Sequence, residues 1–194
     1  MIKKDRLHVM KTINILLCGL GGQGILFMTK LLAQTAMDKG LHVMGAETHG
    51  MAQRGGSVVS HLRLGGAKGS LVRVGTADFL LSLEENEGYR NLPFLREGGS
   101  MYVNADPNNF PKEKVKTYLD GHEIIHHSFS ATEIAREMGA PRSVNLALLG
   151  FFTGLNGGAI SYNELENIID RISPESFRDL NLSIFKAGYE RANN

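Results

Sequence analysis

The sequence has few of the residues on which several classes of protein depend. It contains one cysteine among 194 residues and no tryptophan. A single thiol excludes a disulfide within the chain, and it excludes a zinc or iron–sulfur site built from several cysteines of this chain alone. The charge is balanced, with 21 Lys and Arg against 20 Asp and Glu. Because no basic excess is present, we expect no nucleic-acid partner.

Long apolar segments are also missing. No stretch approaches the roughly 20 apolar residues that cross a membrane, and the charged N-terminus lacks the apolar core of a secretion signal. We therefore expect a cytoplasmic protein with no membrane partner. We expect residues 1–9 to be a disordered extension. Residues 10–194 are long enough to bury a sizeable core, and we expect them to form one domain.

Strand-like and helix-like segments alternate along the chain. Apolar runs predict strands at 12–18, 41–44, 78–83, 100–104 and 123–127, and helical patterns predict helices at 24–40, 86–96, 130–138, 144–155, 161–172 and 176–190. Two of the helices begin with capping boxes, Ser130-x-x-Glu133 and Ser161-x-x-Glu164. Residues 58–64 and 70–74 flank a glycine-rich turn and predict a β-hairpin.

These patterns together predict an α/β fold. The alternation of strands and helices is typical of a Rossmann-like three-layer sandwich, in which a mostly parallel sheet lies between two layers of helices. The predicted hairpin would be an insertion into that sheet. Cys18 ends the first apolar strand, and we expect it to be a small buried residue.

A glycine-rich segment, Cys-Gly-Leu-Gly-Gly-Gln-Gly, joins the first predicted strand to the first predicted helix. Gly19, Gly21 and Gly24 fit the G-x-G-x-x-G pattern, which lets the backbone turn tightly and approach a pyrophosphate. Unpaired amides and the positive end of a helix favour an anion at this point. Gly22 and Gln23 complete the candidate site. Alternatively, these glycines only allow the helix and strand to pack closely.

A second glycine-rich segment follows, Glu47-Thr-His-Gly-Met-Ala-Gln-Arg-Gly-Gly-Ser57. An arginine beside two glycines can present its planar fork, together with exposed amides, to a carboxylate or phosphate. Open α/β sheets bind ligands beyond the carboxyl ends of their strands, where we expect this segment to lie. Its candidate ligand-binding residues are Glu47, His49, Gln53, Arg54, Gly55, Gly56 and Ser57. The alternative is a solvated surface turn.

Other side chains give a weaker signal. Glu47 follows the second predicted strand, where dinucleotide-binding proteins place a carboxylate that accepts a hydrogen bond from the ribose. His126 and His127 are neighbours on a predicted strand and point to opposite faces, so we expect no metal site there. The sequence contains neither a nucleophile elbow nor a Walker lysine. We therefore assign no catalytic residues.

The two glycine-rich segments, in this order and spacing, resemble the gamma subunit or domain of the 2-oxoacid:ferredoxin oxidoreductases. The matching motifs are Gly19-Leu-Gly-Gly-Gln-Gly24, Gln53-Arg-Gly-Gly-Ser57, Ser60-His-Leu-Arg63, Ala77-Asp78 and Asn145-Leu-Ala-Leu-Leu-Gly150. Within that family, the segments at 49–56 and 92–99 are most similar to the beta subunit of indolepyruvate oxidoreductases.

The resemblance implies a reaction that needs more than this chain. In that family, thiamine diphosphate decarboxylates a 2-oxo acid such as indolepyruvate, iron–sulfur clusters pass the electrons to ferredoxin, and coenzyme A takes the acyl group. One cysteine cannot hold such clusters, and the Gly-Asp-Gly…Asn diphosphate–magnesium motif is absent. The resemblance therefore implies a larger alpha-type partner subunit that carries thiamine diphosphate, Mg²⁺ and the clusters, with this chain inactive alone.

We expect the glycine loop and the Arg54 segment to face the partner's thiamine site. There they would hold the phosphates of coenzyme A or the substrate carboxylate, or complete the subunit interface. Two other functions stay open on the sequence alone. One is a stand-alone NAD(P)-binding oxidoreductase, and the other is a ligand-sensing or assembly module without a role in turnover.

Overall fold

Six strands form one sheet in the computed structural model, which describes residues 11–49, 55–155, 158 and 160–193. The predicted extension at 1–9 lies outside these residues. The strands are β1 (Ile13–Leu20), β2 (Val43–His49), β3 (Ser57–Leu64), β4 (Ala77–Ser82), β5 (Leu95–Asn104) and β6 (Ile125–Phe129). Their order across the sheet is β2-β3-β1-β4-β5-β6. Within the described chain only β3 runs against the other strands, so the sheet is mostly parallel, as predicted.

Helices cover both faces of this sheet. They are α1 (Ile25–Asp38), α2 (Glu85–Asn91), α3 (Glu113–Gly121), α4 (Ala131–Glu137), α5 (Val144–Gly154), α6 (Tyr162–Ile172) and α7 (Arg178–Ala192), with short 3-10 helices at Leu92–Phe94 and Glu175–Phe177. One apolar core contains side chains of α1 and of α4 to α7, and a second core on the other face contains side chains of α3 and the Leu92–Phe94 turn. The predicted three-layer α/β sandwich is confirmed. None of the helices described here is long and apolar enough to span a membrane.

The inserted hairpin is present, but its strands differ from the predicted ones. All of β2 pairs with β3, from Val43 opposite Leu64 to the other end of the strand. The predicted second arm, 70–74, is a loop. Its backbone groups bond to side chains of β3 instead of to a strand: Val72 N–H donates to Nδ1 of His61 at 3.2 Å, and Arg63 donates to nearby carbonyl oxygens. At Leu71 and Val72 these bonds take the place of a strand ladder.

Three local predictions also need correction. The helix expected at 86–96 ends at Asn91, because the following turn contains Pro93, which has no backbone N–H to continue an α-helix. Helix α3 was not predicted, because its apolar face is short: only Val115, Tyr118 and Leu119 pack against the core, and of these only Leu119 is fully buried. The box at Ser130 does not form. In its place Asn104, at the end of β5, accepts the Thr132 N–H at 3.1 Å.

The capping box at Ser161 is confirmed, with the Ser161 and Glu164 side chains bonded to each other's backbone amides. The backbones of α5 and α7 approach each other closely. A Cβ atom at Gly150 of α5 would overlap the carbonyl oxygen of Phe185 in α7, and a Cβ at Gly188 of α7 would overlap a carbonyl oxygen of α5. These two helices therefore pack with their backbones in contact.

Candidate functional site

The two glycine-rich segments meet at one edge of the sheet. Strands β1, β4, β5 and β6 end at this edge, and β3, which runs in the opposite direction, begins there. The loop after β1 therefore lies beside the segment that precedes β3. The Gly21 N–H donates to the carbonyl oxygen of Gly56 at 2.9 Å, and the Gly55 N–H faces the Gly21 oxygen at 3.5 Å. The structure thus joins the two motifs directly through their backbones.

The first loop needs its glycines for conformation and for close approach. Gly22 has φ +100° and Gly24 has φ +84°, a region that side chains disfavour. A Cβ atom at Gly19 would lie 2.7 Å from Oε1 of Gln23. Gly24 is the N-cap of α1 and no side chain caps the helix. The first-turn amides, which have no partner inside the helix, therefore face this edge together with the positive end of the helix dipole.

Gln23 closes the loop on itself. Its Oε1 accepts the Leu20 N–H at 2.7 Å, and its Nε2 donates to Oε1 of Glu84 at 3.2 Å. Glu84 is the N-cap residue of α2 and was not among the candidate residues. The side chain that the sequence suggested as a ligand contact is therefore engaged in fixing the loop to the neighbouring helix.

Ser57, the last residue of the second segment, is held by a buried carboxylate. Its Oγ–H donates to Oε2 of Glu87 at 2.5 Å, and the other oxygen of Glu87 accepts a bond from Arg90 at 2.5 Å. The Glu87 side chain is 5% exposed, whereas that of Arg90 is 65% exposed. Sequence reasoning missed Glu87, because a carboxylate in the first turn of a helix is ordinarily explained by the helix dipole.

Asn145, at the start of α5, ties that helix to the glycine loop. Its Nδ2 donates to the carbonyl oxygen of Gly24 at 3.3 Å, and its Oδ1 accepts the Leu146 N–H at 3.0 Å. The residue is buried, with 5% exposure. A polar amide at the head of an otherwise apolar helix was the available signal for this contact.

The structure does not bring Glu47 to the glycine loop. Glu47 lies within β2, not after it, and is opposite Ser60 of β3, which is in turn opposite Leu17 of β1. Glu47 lies two strand spacings, roughly 10 Å, from β1. Along the strand direction it is aligned with Leu17, three residues before Leu20 at the end of β1. His49 ends β2, and its side chain, like Gln53 and Arg54, lies outside the described residues.

Three other reactive side chains, those of Cys18, His126 and His127, contact neighbouring side chains. Cys18 is fully buried beside Ser82, and burial raises the pKa of its thiol to about 12, so it stays protonated. The expectation of a buried Cys18 is confirmed. His126 packs against Phe110 and His127 stacks on Tyr102, on opposite faces of the sheet. Among the described residues no group of three potential metal-ligating side chains occurs.

This edge of the sheet can therefore hold an anion through the first-turn amides of α1, which no side chain caps. Residues 14–191 match the family model described as pyruvate ferredoxin/flavodoxin oxidoreductase.

Two curated relatives are named indolepyruvate oxidoreductase subunit IorB. The protein from Archaeoglobus fulgidus is 34% identical over 93% of this chain and 95% of its own length. The protein from Methanothermobacter thermautotrophicus is 32% identical over 92% of this chain and 97% of its own length. A solved structure, the gamma subunit of a keto/oxoacid ferredoxin oxidoreductase from Geobacter sulfurreducens, shares the fold with a TM-score of 0.74 at 24% identity, over 93% of this chain and 98% of that one. The chain therefore belongs to the pyruvate ferredoxin/flavodoxin oxidoreductase family.

Proposed function

We propose that the chain is the small subunit of a thiamine-dependent 2-oxoacid:ferredoxin oxidoreductase that acts on indolepyruvate or another aryl 2-oxo acid. Two observations support the assignment. The family match spans nearly the whole described chain. The two relatives named as indolepyruvate oxidoreductase subunits align over 95% and 97% of their own lengths. The chain is a subunit of an enzyme and does not turn over substrate alone.

A larger partner subunit supplies the redox chemistry in this proposal. It holds thiamine diphosphate, Mg²⁺ and the iron–sulfur clusters, and it delivers electrons to ferredoxin. The state of Cys18 supports this division, because a cluster is held by several thiolates and the one thiol here is buried and protonated. Cofactor chemistry then belongs to the partner, while this chain contributes binding and orientation. The complex works in the cytoplasm.

The sheet edge described above binds an anionic group of the reaction, which is either a phosphate of coenzyme A or the carboxylate of the 2-oxo acid. The observation that carries this assignment is the backbone bond between Gly21 and Gly56, which places both glycine segments at the uncapped start of α1. Helix N-termini of this kind bind phosphates and carboxylates. Arg54 adds a planar cation to the same segment.

Reconstitution with the large subunit from the same source tests the proposal. The two proteins should co-purify, and the complex should reduce a viologen dye with coenzyme A and a 2-oxo acid. In a panel, indolepyruvate and phenylpyruvate should outperform pyruvate and 2-oxoisovalerate. Turnover that is equally fast without this chain would instead indicate an assembly or sensing module, and turnover by this chain alone would contradict the proposal outright.

Replacement of Arg54 tests the anion site. Losing one charge-assisted contact costs about 1.5–3 kcal/mol, so Arg54→Ala should lower kcat/KM or assembly roughly 10- to 150-fold. Arg54→Lys should restore little, because lysine lacks the fork. Arg73→Ala is the matched control, since Arg73 is exposed on the loop before β4 at the opposite edge. Equal behaviour of the Arg54→Ala and Arg73→Ala complexes would refute a ligand role for Arg54.

A further inference from the structure

Both glycine segments are attached to the same helix start. The first segment is bonded through Gln23 to the carboxylate of Glu84, and the second through Ser57 to the carboxylate of Glu87. Since α2 follows β4, the strand next to β1, its first turn is fixed to the centre of the sheet. The two segments are thus held both to each other and to a common support.

Of the two carboxylates, Glu87 is the more constrained. It is 5% exposed and both of its oxygens are used, one by Ser57 and one by Arg90. Its main-chain oxygen also accepts a bond from Nδ2 of Asn91 at 2.9 Å. A buried carboxylate is tolerated only when such bonds are made, so the position of Glu87 fixes the positions of its partners.

The bond to Ser57 reaches the anion site through the backbone. Ser57 directly follows Gly56, whose carbonyl oxygen accepts the Gly21 N–H at 2.9 Å. A connected series of hydrogen bonds therefore links the buried carboxylate of Glu87, through Ser57 and Gly56, to the backbone of the first glycine loop. Binding by backbone amides depends on holding them within about 0.5 Å of the required geometry, which a supporting layer of side chains provides.

We propose that Glu87 is a positioning residue of the anion site, which acts through Ser57 to hold the Gly55–Gly56 backbone against Gly21. The proposal rests on the proposed function, because it assigns a support to the same site. Glu87 does not touch the bound anion. Arg90 pairs with its carboxylate from the solvent side.

The chain offers a matched control for this carboxylate. Asp78, near the start of β4, lies at the opposite edge of the sheet, and its side chain is 12% exposed. It too accepts one bond from a neighbouring strand, the Asn14 N–H at 2.9 Å, and one from an arginine, Arg96, at 2.9 Å. An effect that appears in both the Glu87 and the Asp78 variants reflects a general loss of stability. An effect that appears only in the Glu87 variant reports on the anion site.

The first test uses the isolated chain and amide hydrogen exchange. In Glu87→Gln the amide oxygen can still accept from Arg90, but the charge-assisted bond from the Ser57 hydroxyl is replaced by a weaker neutral bond in which the amide NH2 donates to Oγ of Ser57. Exchange in peptides that cover 19–24 and 55–58 should become about tenfold faster, the effect of losing the charge-assisted part of that bond. Ser57→Ala should reproduce this change, Ser57→Thr should restore protection, and Asp78→Asn should leave these peptides unchanged. Unaltered exchange in Glu87→Gln would overturn the proposal.

The second test uses the reconstituted complex and separates the two sources of the anion. Glu87→Gln should raise by about tenfold the KM for coenzyme A or the KM for the 2-oxo acid, whichever supplies the anion, with a smaller change in kcat. Asp78→Asn should lower the melting temperature by about as much as Glu87→Gln does, but it should leave both KM values unchanged. If Glu87→Gln leaves both KM values unchanged while Arg54→Ala raises one, the positioning role is wrong and the proposed function stands. If neither variant changes a KM, the anion site itself is wrong.

Discussion

Gly24→Ala is expected to destabilise the protein more than Gly22→Ala, although both glycines have positive φ. The values are +84° for Gly24 and +100° for Gly22. An alanine in such a conformation costs about 1–2 kcal/mol. A Cβ atom at Gly22 would meet nothing within 4 Å, but a Cβ at Gly24 would lie 2.5 Å from Nδ2 of Asn145. Displacing that buried amide adds about 1–3 kcal/mol.

The expected loss in unfolding free energy is therefore about 1–2 kcal/mol for Gly22→Ala and about 2–5 kcal/mol for Gly24→Ala. Urea unfolding followed by circular dichroism measures both, since the chain has no tryptophan for fluorescence. The double variant Gly24→Ala/Asn145→Ala should lose less than the sum of the single variants, because removal of the amide relieves the overlap. Equal losses for the two glycine variants, or additivity within about 0.5 kcal/mol in the double variant, would refute this account of the loop.

Two further predictions concern titratable groups. Cys18 should resist a thiol reagent at pH 8 in the native protein and react once the protein is unfolded in urea, because its thiol is buried and its pKa is raised to about 12; rapid native labelling would contradict its assignment. The pKa of Glu164 is lowered from 4.5 to about 2, mainly by the hydrogen bond from Lys39 and then by the backbone of Ser161. Its folded-state pKa is below the unfolded one, so its stabilisation is present above about pH 4.5 and is lost as the pH falls toward 2. Glu164→Gln should therefore lower the unfolding free energy at pH 6, and the difference from the parent should shrink between pH 4.5 and 2; a difference that does not depend on pH would refute the ion-pair origin.

The fold was predictable where apolar periodicity decides the structure. The buried strand β4 and the apolar helix α5 agree with the sequence patterns, because each buries most of its residues. The prediction from apolar periodicity was wrong where bonds to side chains replace the backbone ladder of a strand. Residues 70–74 alternate like a strand, yet their backbone bonds to His61 and Arg63 of β3. Helix α3 was missed because its apolar face consists of only three residues, Val115, Tyr118 and Leu119.

The site was predictable only as motifs. Glycine spacing identified the first loop, and the αL backbone at Gly24 shows why a glycine is required. The supports of the two segments could not be derived, because Asn145 reaches Gly24 from α5 and Glu87 reaches Ser57 from α2, and both helices lie far away in sequence. A carboxylate at a helix start is ordinarily explained by the helix dipole. Only the fold shows that Glu87 points back at Ser57.

The antiparallel strand β3 accounts for two features of this edge. It places the second glycine segment beside the first loop, and it separates Glu47 from the position that a ribose-binding carboxylate occupies in dinucleotide-binding folds. In a dinucleotide-binding fold the second strand neighbours the first, and its terminal carboxylate reaches the loop. Here β3 lies between them, so Glu47 is displaced by one strand from the position it would need. The same insertion makes β3 begin beside the end of β1, where Gly56 receives the Gly21 amide. One topological change therefore moves Glu47 away from the position of a ribose ligand and brings Gly56 beside the first glycine loop.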